Sequence, residues 1–422
     1  MVLRERNNVE NQVLPGAPQA LTVGRASVSI VAGGAPEDFL TVRRLRAHGN
    51  DREIGRTLAT AARAVHGADA GPHRAADRTV QRARRAWFAT HHPTLSDRMA
   101  GVADAFNVDP DDDDWDLGRL GRVEIPAGCS AVFHPGSATD HRRALLGRNF
   151  DFPTGTYSDI VGIRRTKDES PLAADPWVVE LRPDRGYASI VVGIMDVLGG
   201  MDGVNEVGLA VTLLADNESP APEPSVVPQV GLSEQQIVRY LLENCRDADE
   251  AKHALLIAKQ YYIFVPCHFL VADRSGRSFV WEYSPGHNRE HIVEPAAPGP
   301  VVCTNHLLHR WPDPATLPRD AESAGTAAFT YDRWRTLATK TALGPPADAD
   351  EMRAHLDAVR FTFPAPGVRT LWQAIYDLEE ASIELAFFLR DHEGTSHYTA
   401  PIRFTLGLDS QMKSCEIPHV AI

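Results

Sequence analysis

The run Gly128-Cys129-Ser130-Ala131-Val132-Phe133 divides the chain into two textures and so limits what can fold on either side of it. Downstream, short β-rich or apolar runs follow one another at 130–134, 143–149, 177–181, 187–195 and 208–214. Ser233 then stands as a helix N-cap, with Gln236 at the capping-box position ahead of Ile237, Val238, Leu241 and Leu242, and 247–258 reads as a second helix. Strand-like runs return at 262–272, 278–283 and 299–304, a helix at 331–340, and closing strands at 370–378, 382–389 and 398–405. This succession predicts an α+β domain from residue 129 onward, with sheets packed against helices.

Upstream, residues 1–34 are polar, with strand character at Leu21-Thr22-Val23 and Ser27-Val28-Ser29-Ile30-Val31. From Pro36 to Phe106 the spacing of Phe39, Val42, Leu45, Ile54, Leu58, Ala61 and Ala62 predicts helices, continued from Val80 to Trp87 among arginines. The acidic run from Asp109 to Asp116, broken by Pro110 and Trp115, predicts a solvated loop rather than a metal site. The expected division is a mostly helical leader, 1–128, and a main domain, 129–422.

Composition narrows the classes. Lys plus Arg total 43 against 56 Asp plus Glu, a net charge of -13, which argues against binding a phosphate backbone. No apolar stretch resembles a signal peptide or a membrane span, so the expectation is a cytoplasmic chain without a membrane partner. The 5 cysteines are scattered and form no CxxC pair, so neither a disulfide framework nor a zinc knuckle is suggested. His141, His268, His287, His291, His306 and His309 lack zinc-site spacing, and neither a metal nor an organic cofactor is expected.

One cysteine needs a chemical explanation. Cys129 attacks a carbonyl if it is thiolate-prone and close to a base. No Cys-His motif of the papain or caspase type surrounds it, although His268 and His306 stay open as partners in space. Another route opens if the Gly128-Cys129 bond is cut, because the new α-amine, with a pKa of about 8, takes the thiol proton itself. Gly128 suits the strained backbone that an N-to-S acyl shift needs, and the acidic run upstream offers slack. Arg148 and Asp151, in Gly147-Arg148-Asn149-Phe150-Asp151-Phe152, read either as an ordinary ion pair or as partners of Cys129. Asn305, ending the run Val301-Val302-Cys303-Thr304, reads as a turn residue or an amide donor.

Together, Gly128-Cys129-Ser130, Gly147-Arg148-Asn149-Phe150-Asp151-Phe152, Asn205-Glu206-Val207-Gly208-Leu209-Ala210-Val211 and Cys303-Thr304-Asn305-His306 resemble the N-terminal-nucleophile cysteine hydrolases. Within them the likeness is to the acyl-coenzyme A:6-aminopenicillanic acid acyltransferase family, with choloylglycine hydrolase and penicillin V acylase as more distant relatives. The resemblance implies a four-layer αββα sandwich, cut before Cys129 into residues 1–128 and 129–422 that stay together. It implies that Cys129 is the nucleophile, that Arg148 favours its thiolate, and that Asp151 binds the freed amine. Asn305 would serve the oxyanion, and Arg333, in Thr330-Tyr331-Asp332-Arg333, would join Cys129 and Asp151 in a charge network. Where bile-salt hydrolases carry a second asparagine this chain has Ala215, leaving only a backbone N–H for the oxyanion.

The implied reaction attacks a linear amide or acyl thioester, forms a Cys129 thioester, and passes the acyl group to water or an amine, in a bacterial secondary metabolism. Phe150, Phe152, Tyr157 and Trp311 are candidate pocket walls or plain core. Two alternatives stay open: an uncut, non-catalytic binding or scaffold protein, and a Cys-His enzyme using His268 or His306. Whether the chain forms an oligomer is open as well.

Overall fold

The strand-rich texture after Cys129 resolves into two sheets facing each other across one apolar layer. The computed structural model describes residues 21–23, 26–120, 128–138, 143–164, 169–194, 196–219, 230–262, 266–284, 289–295, 297, 299–320, 329–346, 348–363 and 367–406. A seven-stranded sheet runs in the order 301–303, 128–134, 145–153, 368–377, 382–392, 395–398, with 402–405 also on 382–392. A ten-stranded sheet runs 21–23, 26–33, 41–49, 177–183, 189–193, 202–205, 209–215, 267–273, 278–284, 289–293.

Side chains alternate across each strand, so one run of residues serves two layers. Cys129, Ala131 and Phe133 belong to the layer between the sheets, whereas Val132 joins Leu145, Ile375, Leu337, Met352 and Leu356 beneath the helices Thr330–Leu343 and Ala349–Asp357. Gly147 lets the second of these helices approach: a Cβ there would come within 2.8 Å of Met352 Sδ. Helices Glu234–Asn244 and Ala248–Ile257 cover the outer face of the ten-stranded sheet. The first begins with the predicted capping box, Ser233 and Gln236 bonding each other's backbone. The layers are therefore the expected αββα sandwich.

The leader departs from expectation. Helices Asp51–His66, Arg78–His91 and Pro93–Phe106 form as predicted, but Thr41–Gly49, read as helical, is a strand. It lies parallel to Trp177–Pro183 inside the ten-stranded sheet. Its apolar spacing fits either period, and a partner more than a hundred residues away decides between them. Arg43, Arg44 and Arg46 pair with Asp175 and Glu180. Residues 26–49 are thus part of the sandwich, not a helical layer set apart.

The acidic run is also only partly a solvated loop. Trp115–Leu120 is a strand on Pro72–Arg74. Asp113 and Asp116 are buried, meeting Arg82, Arg85 and Arg84 of the arginine-rich helix. A guanidinium as deeply enclosed as that of Arg84 requires such a partner.

Candidate active site

Strand Gly128–His134 lies between 301–303 and 145–153, with Cys129 opposite Phe150 and Ala131 opposite Arg148. Residues facing each other across a pair point the same way, so Cys129 and Arg148 are diagonal neighbours on the inter-sheet face. One terminal nitrogen of Arg148 donates to Cys129 Sγ at 3.1 Å and to the Leu213 carbonyl at 2.6 Å. The other donates to the Met201 carbonyl at 3.0 Å and to the Asp202 carboxylate. Asp202 also accepts from Tyr376 Oη at 2.8 Å and Trp372 Nε1 at 3.4 Å.

Asp151 pairs with Gly128 on the opposite face, toward the helices. Its Oδ1 accepts the Thr370 hydroxyl and its Oδ2 lies 3.0 Å from Arg333. Arg333 stands in the first turn of helix Thr330–Leu343 and donates also to the Cys129 carbonyl at 2.9 Å and to Asn305 Oδ1 at 2.6 Å. Asn305 Oδ1 accepts the Cys129 N–H at 2.8 Å, while its Nδ2 donates to the Ala215 carbonyl at 2.8 Å. Two donors on one side and a carbonyl on the other fix the orientation of this amide. The Thr330 hydroxyl holds the Asn305 N–H at 2.8 Å, tying strand end to helix start.

Arg148, Asp151, Asn305 and Arg333 therefore gather around Cys129, Arg148 at its thiol and the other three linked to its backbone, and Ala215 touches the group through its carbonyl. Gly128 differs from expectation in its reason. Its φ is not in the left-handed region, and it sits in regular antiparallel register. What it supplies is room, since a Cβ there would meet Asp151 Cβ at 3.3 Å and Phe361 at 3.4 Å.

Burial dominates the electrostatics. It pushes the Cys129 thiol above its ordinary pKa, and the pull of Arg148 and Arg333 does not overcome it. Arg148 alone therefore does not make the thiolate in the uncut chain. Burial works against the charge of Arg148 too, but Asp202 and the thiol outweigh it and hold the guanidinium firmly protonated. The Asp151 carboxyl is raised by burial, with Arg333 and the Thr370 hydroxyl opposing.

Neither candidate histidine hydrogen-bonds the thiol. His268 Nε2 faces the Thr304 carbonyl at 2.7 Å and its Nδ1 faces Glu282 at 3.4 Å; His306 Nδ1 faces the hydroxyls of Thr304 and Thr330. Phe150 and Phe152 are core: Phe150 stacks on Trp372 at 3.8 Å between centroids. Trp311 gives its N–H to Glu218 at 2.9 Å, which also takes the Tyr331 hydroxyl, and Tyr157 is half-buried at the start of its helix. The rings beside the thiol's neighbours are instead Phe329, Phe361 and Phe363, with the Arg333 guanidinium 4.7 Å over Phe361. Asp202, Thr370 and Tyr376 carry no sequence signal of their own; they reach the site from across the sandwich or from the next strand. Among the described residues no group of three His, Cys, Asp or Glu side chains could hold a metal ion.

A family profile described as acyl-coenzyme A:6-aminopenicillanic acid acyl-transferase matches residues 137–387, more than half of the chain. The span includes Arg148, Asp151, Ala215, Asn305 and Arg333 and begins beyond Cys129. No curated protein matches the chain. Among solved structures, penicillin V acylase from Agrobacterium tumefaciens is 18% identical over 61% of this chain and 83% of its own, with a TM-score of 0.40. A variant of conjugated bile acid hydrolase from Clostridium perfringens is 14% identical over 69% of this chain and 100% of its own, at 0.43. An N-acylethanolamine-hydrolyzing acid amidase ortholog from Caenorhabditis elegans is 16% identical over 59% and 93%, at 0.35.

Proposed function

This chain belongs to the acyl-coenzyme A:6-aminopenicillanic acid acyl-transferase family, whose chemistry is amide hydrolysis or acyl transfer, and from that premise we propose that Cys129 is its nucleophile and is exposed by self-cleavage. The observation that carries this reading is a buried thiol with a cation beside it and no base. Arg148 donates to Sγ, while among the described residues no imidazole or carboxylate hydrogen-bonds it. For turnover, a thiol held neutral by burial needs a base, and the α-amine that the cut frees on the same residue is that base.

In self-cleavage, Sγ attacks the Gly128 carbonyl, a C–S bond forms as the C–N bond breaks, and the thiol proton passes to the leaving Cys129 nitrogen. Water then hydrolyses the thioester to a Gly128 carboxylate and returns the Cys129 thiol beside its free amine. Before the cut, Arg148, Arg333, Asp151 and Asp202 sum to no net charge, so a thiolate there would be a lone buried anion. Afterwards the amine takes the thiol proton and the ion pair that results keeps the balance. Asn305 Oδ1, which now accepts the Cys129 N–H, orients the amine; Arg333 fixes Asp151 beside it. The second hydrogen of Asn305 Nδ2 and the Ala215 backbone serve the oxyanion.

The substrate is a small acyl amide or thioester, with water or an amine as acceptor and no metal or organic cofactor, in secondary metabolism. Its acyl group lies along Phe329, Phe361 and Phe363, the first and last of which stand 46% and 45% exposed. Among the described residues no disulfide joins Cys129, Cys245, Cys267 or Cys303, which suits a reducing, cytoplasmic setting. Among the described residues no helix is long and apolar enough to cross a membrane.

Intact mass and a denaturing gel of the wild type beside Cys129→Ala test the reading. The expected result is two pieces, 1–128 and 129–422, from the wild type and one from the variant, with turnover of acyl amides or thioesters confined to the wild type. A wild type that stays whole, or a variant that turns over equally, overturns it.

A further inference from the structure

Among the described residues Arg148 is the one group that donates to the Cys129 thiol, and its own placement depends on the opposite sheet. Asp202 stands on Asp202–Asn205 in the ten-stranded sheet, fully buried, whereas Cys129, Arg148, Trp372 and Tyr376 belong to the seven-stranded one. The carboxylate therefore crosses the layer between sheets to meet the guanidinium. Among the described residues the groups that hydrogen-bond it are all donors: Arg148, the Trp372 N–H and the Tyr376 hydroxyl. That set matches an ionised carboxylate.

Resting on the reading of Cys129 as nucleophile, we propose that Asp202 is a positioning residue acting through Arg148, and that Tyr376 moderates it: the pair fixes the guanidinium against Sγ and sets how much of its charge the sulfur feels. The geometry gives the reason. Arg148 spends one terminal nitrogen on Asp202 and Met201 and the other on Cys129 and Leu213, so the same planar cation is shared between an anion and the thiol. A carboxylate at the far end draws that cation's field away from the sulfur, and the Tyr376 hydroxyl in turn draws on the carboxylate. Among the described residues the other charged groups around the thiol are Asp151 and Arg333, which pair with each other, while Cys267 lies nearby. The α-amine freed by the cut joins them and is the same in every variant compared.

The test is the pH midpoint of thiolate formation at Cys129, read as ultraviolet thiolate absorbance minus that of the same full-length protein carrying Cys129→Ser. Asp202→Asn keeps shape but removes the competing charge, and Met201 and Leu213 still hold Arg148; the midpoint is expected to fall by about one pH unit. Tyr376→Phe leaves the carboxylate's charge undivided and is expected to raise it. An Asp202→Asn midpoint that is unchanged or raised overturns the proposal. Should that variant fail to fold, an unchanged or lowered midpoint in Tyr376→Phe does the same. The midpoint reads the ionisation beside Arg148 whether or not the enzyme turns over, so failure of the catalytic reading shows separately, as turnover that survives Cys129→Ala.

Discussion

Arg333 shows how much one side chain organises. From helix Thr330–Leu343 its guanidinium reaches the Cys129 carbonyl, Asp151 and Asn305 Oδ1, three acceptors from three places in the sequence. A planar fork of five N–H donors spans them; an ammonium of the same charge does not. Arg333→Met is therefore expected to cost about 3–5 kcal/mol of stability, because Asp151 stays buried without its cation. Arg333→Lys keeps the charge and should lose roughly half as much. Urea unfolding checks both, and a Lys variant as stable as the wild type would show that the fork geometry is not needed. Cys129, Arg148 and Asp151 were legible in sequence through the motifs that carry the family resemblance; the ladder then sets Arg148 and Asp151 on opposite faces, so they pair with Asp202 and Arg333 and not with each other. Asp202 was not, since an aspartate in Gly199-Gly200-Met201-Asp202-Gly203 announces nothing until the second sheet is laid over the first.

At the scale of elements, Glu282 clamps two strands to the segment that carries Asn305. It stands on Ser278–Ser284, faces His268 on Cys267–Asp273, and accepts the N–H groups of Leu308 at 2.6 Å and His309 at 3.0 Å. His268 in turn faces the Thr304 carbonyl, one residue before Asn305. Both His268 nitrogens meet acceptors, so the ring is a cation. Burial pushes the Glu282 carboxyl up, but His268 and the donors of His309 more than offset this and hold it down at about 2. A depressed carboxyl contributes stability above its unfolded pKa of about 4.5 and loses it as pH falls toward the folded value. Glu282→Gln is therefore expected to be less stable than wild type by about 3 kcal/mol at neutral pH. That gap should close between about pH 4.5 and 2. A gap that does not change with pH would remove the charge from this account. The helices were largely readable from caps and periodicity, as the cap at Ser233 and the run 247–258 show. Thr41–Gly49 was not, because its apolar spacing is shared by both periods and only the distant strand Trp177–Pro183 makes it β.

For the molecule as a whole, the proposed cut raises the question of what keeps residues 1–128 in place. The strand Thr41–Gly49 forms a full parallel ladder with Trp177–Pro183, continued by the ion pairs of Arg44 and Arg46 with Glu180. Arg98, fully enclosed, bonds Asp51 on its own side and Glu243 on the other. Gln236 donates to the Gly118 carbonyl, and the Leu120 N–H reaches Asp196. These contacts come from three helices and two sheets, so the upstream residues complete the sandwich rather than cover it. Salt screens exposed charges but leaves ladder hydrogen bonds and enclosed guanidinium pairs largely intact. The two pieces are accordingly expected to coelute on size exclusion even at about 1 M salt, where the Debye length is only about 3 Å, and to part only in denaturant. Arg98→Met, which removes the cation shared by Asp51 and Glu243 and leaves them to the longer contacts of Arg185 and Arg239, should lower the denaturant needed. Pieces that separate in salt alone would mean that the ladder does not bind them, and that the leader is an appendage after all.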